Sequence, residues 1–302
     1  MPQRQSRKRS EMTIAACYLS SEGIVFGADS TSTIWIPGPG GDTGALHHLN
    51  YSQKVFEIGT ESTLGIVMWG MGAINDLAHR TLIARFADDL KSNPTSSMLE
   101  TAERFCIHFW DEYKSRLSDP IKQFQEIDSK KGSGITEEQT TIHESLQQAL
   151  SGGYCLGGYL PSNRIPQAFE ILYHPSLQIT PVPNVLKQGS AFFWGCPNII
   201  DRVLYAQDES LFNEIKESEY WTGSEEDLFE LIRKHRFAQP YDLPLREAID
   251  WTHTIIYATI KAMKFSHLPP VCGGPIEISV ISTDRLYRWV KHKRFHAALS
   301  QH

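Results

Sequence analysis

The sequence predicts an α+β protein in which stacked β-sheets are covered on both sides by helices. Three observations lead there. Strand-like and helix-like segments come in blocks along the chain: strands, helices, strands, helices, strands. The first two strand segments are apolar without alternation, as in strands buried on both faces. Two long stretches between the strand blocks carry apolar residues at helical spacing.

TIAACYL (Thr13–Leu19) and GIVFGA (Gly23–Ala28) are split by SSEG and read as a β-hairpin. Residues 36–53, IPGPGGDTGALHHLNYSQ, are too rich in Gly and Pro for regular structure and read as a loop. KVFEI (Lys54–Ile58) and TLGIVMW (Thr63–Trp69) form a second strand pair. Helices are expected over 74–91 and 97–117. Between Ser118 and Ser145 the chain turns polar (DSKKGSGITEEQTT) and reads as a mobile surface insertion. Strand signals return at 153–160, 167–173 and 191–194. Residues 198–265 read as largely helical, ending in REAIDWTHTIIYATIKAMKF. The last core strand is IEISVIS (276–282), followed by RLYRWV, and no internal repeat is visible.

Composition narrows the function classes. The chain has 302 residues, 41% hydrophobic and 21% charged, with a net charge of −6. A chain of about 300 residues buries roughly three quarters of its unfolded surface, enough for one large core. The negative charge argues against nucleic acid as a partner. No apolar run approaches the roughly 20 residues that span a bilayer, so no membrane partner is expected. The opening MPQRQSRKRSE is basic but lacks the apolar stretch of a signal peptide. Cys17, Cys106, Cys155, Cys196 and Cys272 are scattered, with no C-x-x-C pair. That odd set suggests reduced thiols in a cytoplasm and neither a disulfide frame nor a zinc site.

The junction Met12–Thr13 raises a chemical question. A free α-amine has an ordinary pKa of about 8, so part of it is unprotonated at neutral pH. A threonine at a chain terminus therefore carries its own base for its own hydroxyl. A nearby cation favours the deprotonated forms, and a carboxylate keeps that cation charged and oriented. Backbone N–H groups at a tight turn stabilise a tetrahedral oxyanion by about 3 kcal/mol per donor. Thr13 offers the hydroxyl, Asp29 closes the second strand, Lys54 opens KVFEI, and Gly70 lies in the turn WGMGAIND.

Taken singly, each has an ordinary reading. Thr13 suits a strand start, Asp29 a turn, Lys54 a solvated strand end, and Gly70 with Gly72 a backbone bend. The G-x-G of WGMGAIN also suits a dinucleotide-binding turn, but Asn75 stands where the third glycine belongs. His47 and His48 lack an acidic or Cys cluster to complete a metal site, so no metal or organic cofactor is expected. Cys196 and Cys272 read as buried inert thiols in preference to nucleophiles.

TIAACYLSSEGIVFGADSTST…KVFEIG…LGIVMWGMGAIND resembles the N-terminal half of a proteasome β-type subunit. Thr13, Gly23, Asp29 and Ser30 fall on that pattern without a gap, and Lys54 follows a loop longer than the family norm. GGPIEI and the Met-Thr opening resemble the bacterial ancestral-β-subunit type. The resemblance covers residues 13–115 well and 150–290 loosely. It implies a four-layer αββα sandwich of the N-terminal-nucleophile (Ntn) hydrolase type, spanning 13–302 as one domain with extra helices at 198–265. It makes Thr13 the nucleophile, Asp29 and Lys54 its charge partners, and Gly70 the oxyanion donor. It also places Thr33 against substrate backbone and Met68 in the specificity pocket. Where the family carries a supporting serine near the nucleophile, FFWGCPNIIDRVL offers Cys196; VCGGPIEISVISTDR offers Cys272, and Pro269 stands in an aspartate's place.

The expected activity is threonine-type hydrolysis of peptide bonds in peptides or unfolded protein. The resemblance further implies a homo-oligomer, as a ring or stacked array, with an ATPase unfoldase as partner. Residues 1–12 are expected to be a start-site overrun, with Met12 the true start and removed before Thr13, or else a cleaved propeptide. Two alternatives stay open: an amidohydrolase acting on a small amide, and a catalytically silent proteasome-like subunit, as when Met12 takes the nucleophile's place.

Overall fold

Every residue of β1 (Ile14–Ser20) and β2 (Gly23–Ala28) is buried, so this hairpin has no solvent face. The computed structural model describes residues 13–37, 44–237, 241–266 and 271–293. In it the hairpin lies inside an antiparallel sheet with β10 (Ser190–Gly195), β11 (Glu277–Ser282) and β12 (Arg285–Lys291). The strand order is β10–β1–β2–β11–β12. A second antiparallel sheet is built from β5 (Val55–Glu57), β6 (Leu64–Gly70), β7 (Gly152–Gly158), β8 (Gln167–Tyr173) and β9 (Asn184–Val185), in that order.

The period of two along a strand decides what each face meets. From β1 and β2, Ala15, Cys17, Leu19, Ile24 and Phe26 meet Val55, Val67, Trp69, Cys155 and Ala168 of the other sheet in one dry cluster. Trp69 and Trp194 stack there with centroids 4.5 Å apart. Ile14, Ala16, Tyr18 and Val25 point the other way, against α5 (Asn198–Tyr205) and α8 (Leu245–Phe265). On the far side of the second sheet, Ile66, Tyr154, Phe169 and Tyr173 pack against α1 (His79–Ser92) and α2 (Met98–Arg116). The layers therefore run helix, sheet, sheet, helix. None of the helices among the described residues is long and apolar enough to cross a membrane.

Three sequence expectations are corrected. Residues 118–145 are not a mobile insertion but two helices, α3 (Ser118–Lys130) and α4 (Glu137–Leu150). Ile121, Phe124 and Ile127 form a buried stripe at intervals of three, so the polar letters occupy only the outer side. Thr136 and Gln139 close a capping box at the start of α4, and His143 stacks on Phe124. Part of the expected loop 36–53 is strand as well: β3 (Ser32–Pro37) and β4 (Gly44–Leu49) pair as a ribbon, with residues 38–43 outside the described set. Finally, the helix expected from residue 74 begins at His79. Asn75 adopts φ +56°, which no helix interior accepts, and Ile74 bridges to Leu77. Elsewhere in the chain, α6 (Glu209–Glu217) and α7 (Glu225–Arg233) lie between α5 and α8.

One polar side chain is sealed into the aromatic core of the second sheet. His79 stacks parallel to Phe109 and edge-on to Tyr154. Burial pushes its imidazole down to about 4 from an ordinary 6.5, partly opposed by its hydrogen bond with the Met71 carbonyl. Between those two values the unfolded chain binds a proton that the folded chain refuses. Stability present above pH 6.5 is therefore lost as the pH falls toward 4, by on the order of 3 kcal/mol. Urea unfolding of the native chain and of His79→Gln, which cannot titrate, checks this: the variant should lose that part of the pH slope.

Candidate active site

A buried carboxylate organises one end of the two sheets. Asp29 follows β2 directly and has 0% exposure, so its charge must be satisfied from within. Oδ1 accepts from the Ile14 N–H at 3.1 Å and from Lys54 Nζ at 2.6 Å. Oδ2 accepts from the Thr31 N–H at 3.1 Å and the Gly273 N–H at 2.9 Å. Four donors meet the roughly four acceptor sites of an ionised carboxylate. Lys54, 5% exposed, donates again to the Thr31 carbonyl at 2.5 Å. One ammonium and one carboxylate are thus paired and further hydrogen-bonded, the condition for keeping both charged in a dry site.

Thr13 adjoins this pair through its own peptide, because the Ile14 N–H held by Asp29 belongs to the Thr13–Ile14 bond. Thr13 is 4% exposed, and its carbonyl accepts from the Cys196 N–H at 2.8 Å. Gly195 comes closer still. It adopts φ +88°, and a Cβ there would stand 1.8 Å from the Thr13 carbonyl oxygen. Only glycine fits.

Sheet geometry fixes where Gly70 points. The Met68 N–H donates to the Lys54 carbonyl at 2.9 Å, and the Met71 N–H donates to the Ser151 carbonyl at 3.1 Å. N–H groups alternate in side along a strand, so that of Gly70 faces the β5 side, beyond the end of β5, as the Met68 N–H does. Gly70 itself has φ +80°, and a Cβ would meet the Ser151 carbonyl at 2.6 Å.

The remaining expected residues fall as follows. Cys196 and Cys272 are both buried in the core on the α8 side, beside the Asp29 pair. Burial, then the charge of Asp29, pushes the Cys272 thiol far up, so it stays protonated. Met68 packs into the core beneath α1 and α2 and is nearly covered. Thr33 lies on β3, with its side chain outside the described residues, as are Pro269 and residues 1–12. His47 and His48 are exposed on β4, and no cluster suited to a metal ion occurs among the described residues.

A second buried ion pair, which the sequence reading missed, borders the first. Glu277 lies opposite Ala28 on β11 with no exposure. Its Oε2 is 3.2 Å from Lys293 Nζ. Lys293 also donates to the Ser30 hydroxyl at 3.3 Å and the Ser52 carbonyl at 2.7 Å, tying together the segments that carry Asp29 and Lys54. Burial lowers the Lys293 pKa, and the Glu277 charge opposes that shift. His292 Nδ1 stands 2.7 Å from Glu277 Oε1, within ion-pair range but not aligned as a hydrogen bond. Glu277 opening an apolar strand was the one available signal; nothing in the sequence names its partner.

Removing one member of the first pair should strand the other. Asp29→Ala should destabilise the fold by about 3–5 kcal/mol, because Lys54 is left buried and unpaired. Adding Lys54→Met should recover part of that loss. Urea unfolding of both variants checks it; additive losses would mean the two side chains do not interact.

No family model and no curated protein matches the chain. Among solved structures it is similar to an "Anbu (Gly-1) mutant" from Hyphomicrobium sp. strain MC1, at 12% identity. The alignment covers 95% of this chain and 91% of that one, with a TM-score of 0.46. A likeness at this level says nothing about activity.

Proposed function

We propose that the protein is a threonine-type peptidase whose nucleophile is Thr13, exposed as a chain terminus once residues 1–12 are gone. The observation that carries this reading is the buried Asp29 carboxylate, which holds both the Lys54 ammonium and the peptide N–H next to Thr13. An ion pair in such a site is costly to desolvate, and it lies beside a residue whose hydroxyl, on Cβ, is one carbon–carbon bond away from the carbon that bears its α-amine.

The chemistry then runs in two halves. The Thr13 hydroxyl attacks the scissile carbonyl carbon, and its proton passes to the Thr13 α-amine. The oxyanion that forms is met by the Gly70 N–H, while Lys54, held charged by Asp29, favours negative charge on the attacking oxygen. The C–N bond breaks as the α-amine returns its proton to the leaving amine, leaving an ester on Thr13. Water, deprotonated by the same α-amine, attacks the ester. The carboxylic acid departs and the hydroxyl is restored.

Peptides or unfolded protein are the proposed substrates, with a ring-like or stacked homo-oligomer as the working form and an ATPase unfoldase as its feeder. A small-amide substrate is the second reading. It is favoured by Met68, which packs into the core and leaves a P1 side chain little surface to touch.

Thr13→Ala is the test. In protein processed to begin at residue 13, it should lower peptide hydrolysis by roughly 10³-fold or more and abolish labelling by a β-lactone probe, with the circular-dichroism spectrum unchanged. Labelling that persists, or moves to Cys196, would overturn the assignment.

A further inference from the structure

The two sheets meet through apolar side chains, and apolar packing is non-directional: it brings them together without setting which atom faces which. At the end that carries Asp29 and Lys54, polar contacts set it. The Ser52 N–H donates to the Ser30 carbonyl at 2.9 Å, and the Thr31 hydroxyl donates to Asn50 Oδ1 at 3.0 Å. Lys293 reaches in from a third segment, just past β12, and grips both sides. Its Nζ donates to the Ser52 carbonyl at 2.7 Å and to the Ser30 hydroxyl at 3.3 Å. The remaining donor goes to Glu277 Oε2 at 3.2 Å. An ammonium has three donors, and all three are taken.

The anchor is itself fixed, since Glu277 is fully buried and pairs with Ala28, the residue before Asp29. Both peptide groups that flank Ser52 are held: the one before it through its N–H, by Ser30, and the one after it through its carbonyl, by Lys293. A planar peptide moves as a unit, so the Ser52–Gln53 plane follows the ammonium. Gln53 alone lies between Ser52 and Lys54. On the other side, the Lys54 carbonyl accepts from the Met68 N–H at 2.9 Å. The backbone that carries the Lys54 side chain is thereby bracketed, by β6 downstream and by Lys293 upstream.

We infer that Lys293, anchored by Glu277, is a positioning residue that sets where the Lys54 ammonium stands beside Asp29, by pinning Ser52 against Ser30. This rests on the reading of Thr13 as nucleophile with Lys54 as its cation. It extends the working site to the segment after β12, and it gives the second buried ion pair a task in the chemistry of the first.

The experiment uses the processed full chain in four forms: unmodified, Lys293→Met, the double variant Glu277→Gln with Lys293→Met, and Ile121→Ala. Two readouts are taken, peptide-hydrolysis kinetics and hydrogen-exchange mass spectrometry of the peptides covering 50–57 and 98–116. Lys293→Met removes the grip on Ser52. It should lower kcat by about 100-fold with KM unchanged, since a misplacement of about 1 Å costs that much. Exchange over 50–57 should quicken at least about tenfold while 98–116 keeps its rate, the signature of a local opening. The double variant removes both charges and strands neither, so it should show the same losses; it decides the question alone should Lys293→Met not fold. Ile121→Ala opens a cavity in the buried stripe of α3 and should leave kcat and the 50–57 exchange unchanged. Unchanged exchange over 50–57, a rise in KM in place of a fall in kcat, full activity in the double variant, or an equal loss of kcat in Ile121→Ala would overturn the inference. Failure of the Thr13 reading would look different: the unmodified chain would hydrolyse nothing, while the exchange comparison would still decide whether Lys293 holds the segment before β5.

Discussion

A carboxylate without solvent has to be satisfied by the protein, and most of the architecture at one end of this molecule follows from satisfying Asp29. Its four donors come from β1, from the segment just past β2, from the start of β5 and from the loop before β11. Three of them are backbone N–H groups and one is an ammonium. Losing any of these leaves a charge or a dipole stranded where water cannot reach it. The pair therefore acts as a constraint on chain path as much as a source of chemistry: the two sheets must arrive at the same point for Lys54 and Asp29 to meet.

The sandwich meets that constraint through its layers. β1 and β2 are covered on one face by α8 and on the other by the second sheet, and this is why small and apolar residues fill both faces. Trp69 and Trp194, stacked between the sheets, stand one residue from Gly70 and from Gly195 respectively, and Gly195 lies against the Thr13 carbonyl. Glu277 and Lys293 repeat the device next door, with the second ammonium gripping Ser30 and Ser52. Neighbouring buried pairs of opposite charge add no net charge while fixing several loops at once. Behind the site, His79 contributes polarity without charge.

Legibility in the sequence followed the range of the interactions. Period and apolar content located β1, β2, β8 and α2 within a residue or so, because local burial decides them. Asp29 and Lys54 could be named because a family pattern places them at set distances along the first part of the chain. Gly273 could not, since it donates to Asp29 from 244 residues away and a glycine N–H has no sequence signature. The Glu277–Lys293 pair was hidden for a related reason: Lys293 is one of several basic letters in KHKR, and nothing marks it as buried until its partner is known. The α3–α4 pair was misread because polar composition was taken as absence of a core face, although Ile121, Phe124 and Ile127 mark one. The β3–β4 ribbon was misread because its Gly and Pro letters cluster where residues 38–43 join the two strands. His79 was passed over as one letter inside an expected helix, when it stands at the start of that helix and faces inward.

The proposed chemistry needs a threonine whose α-nitrogen is free. Intact-mass measurement of the protein purified from its native source, without an added tag, tests that most directly. The expected mass is that of a polypeptide that begins at Thr13, with an unblocked amine. A mature protein that retains the residues before Thr13 would contradict it, because an amide nitrogen cannot take the hydroxyl's proton.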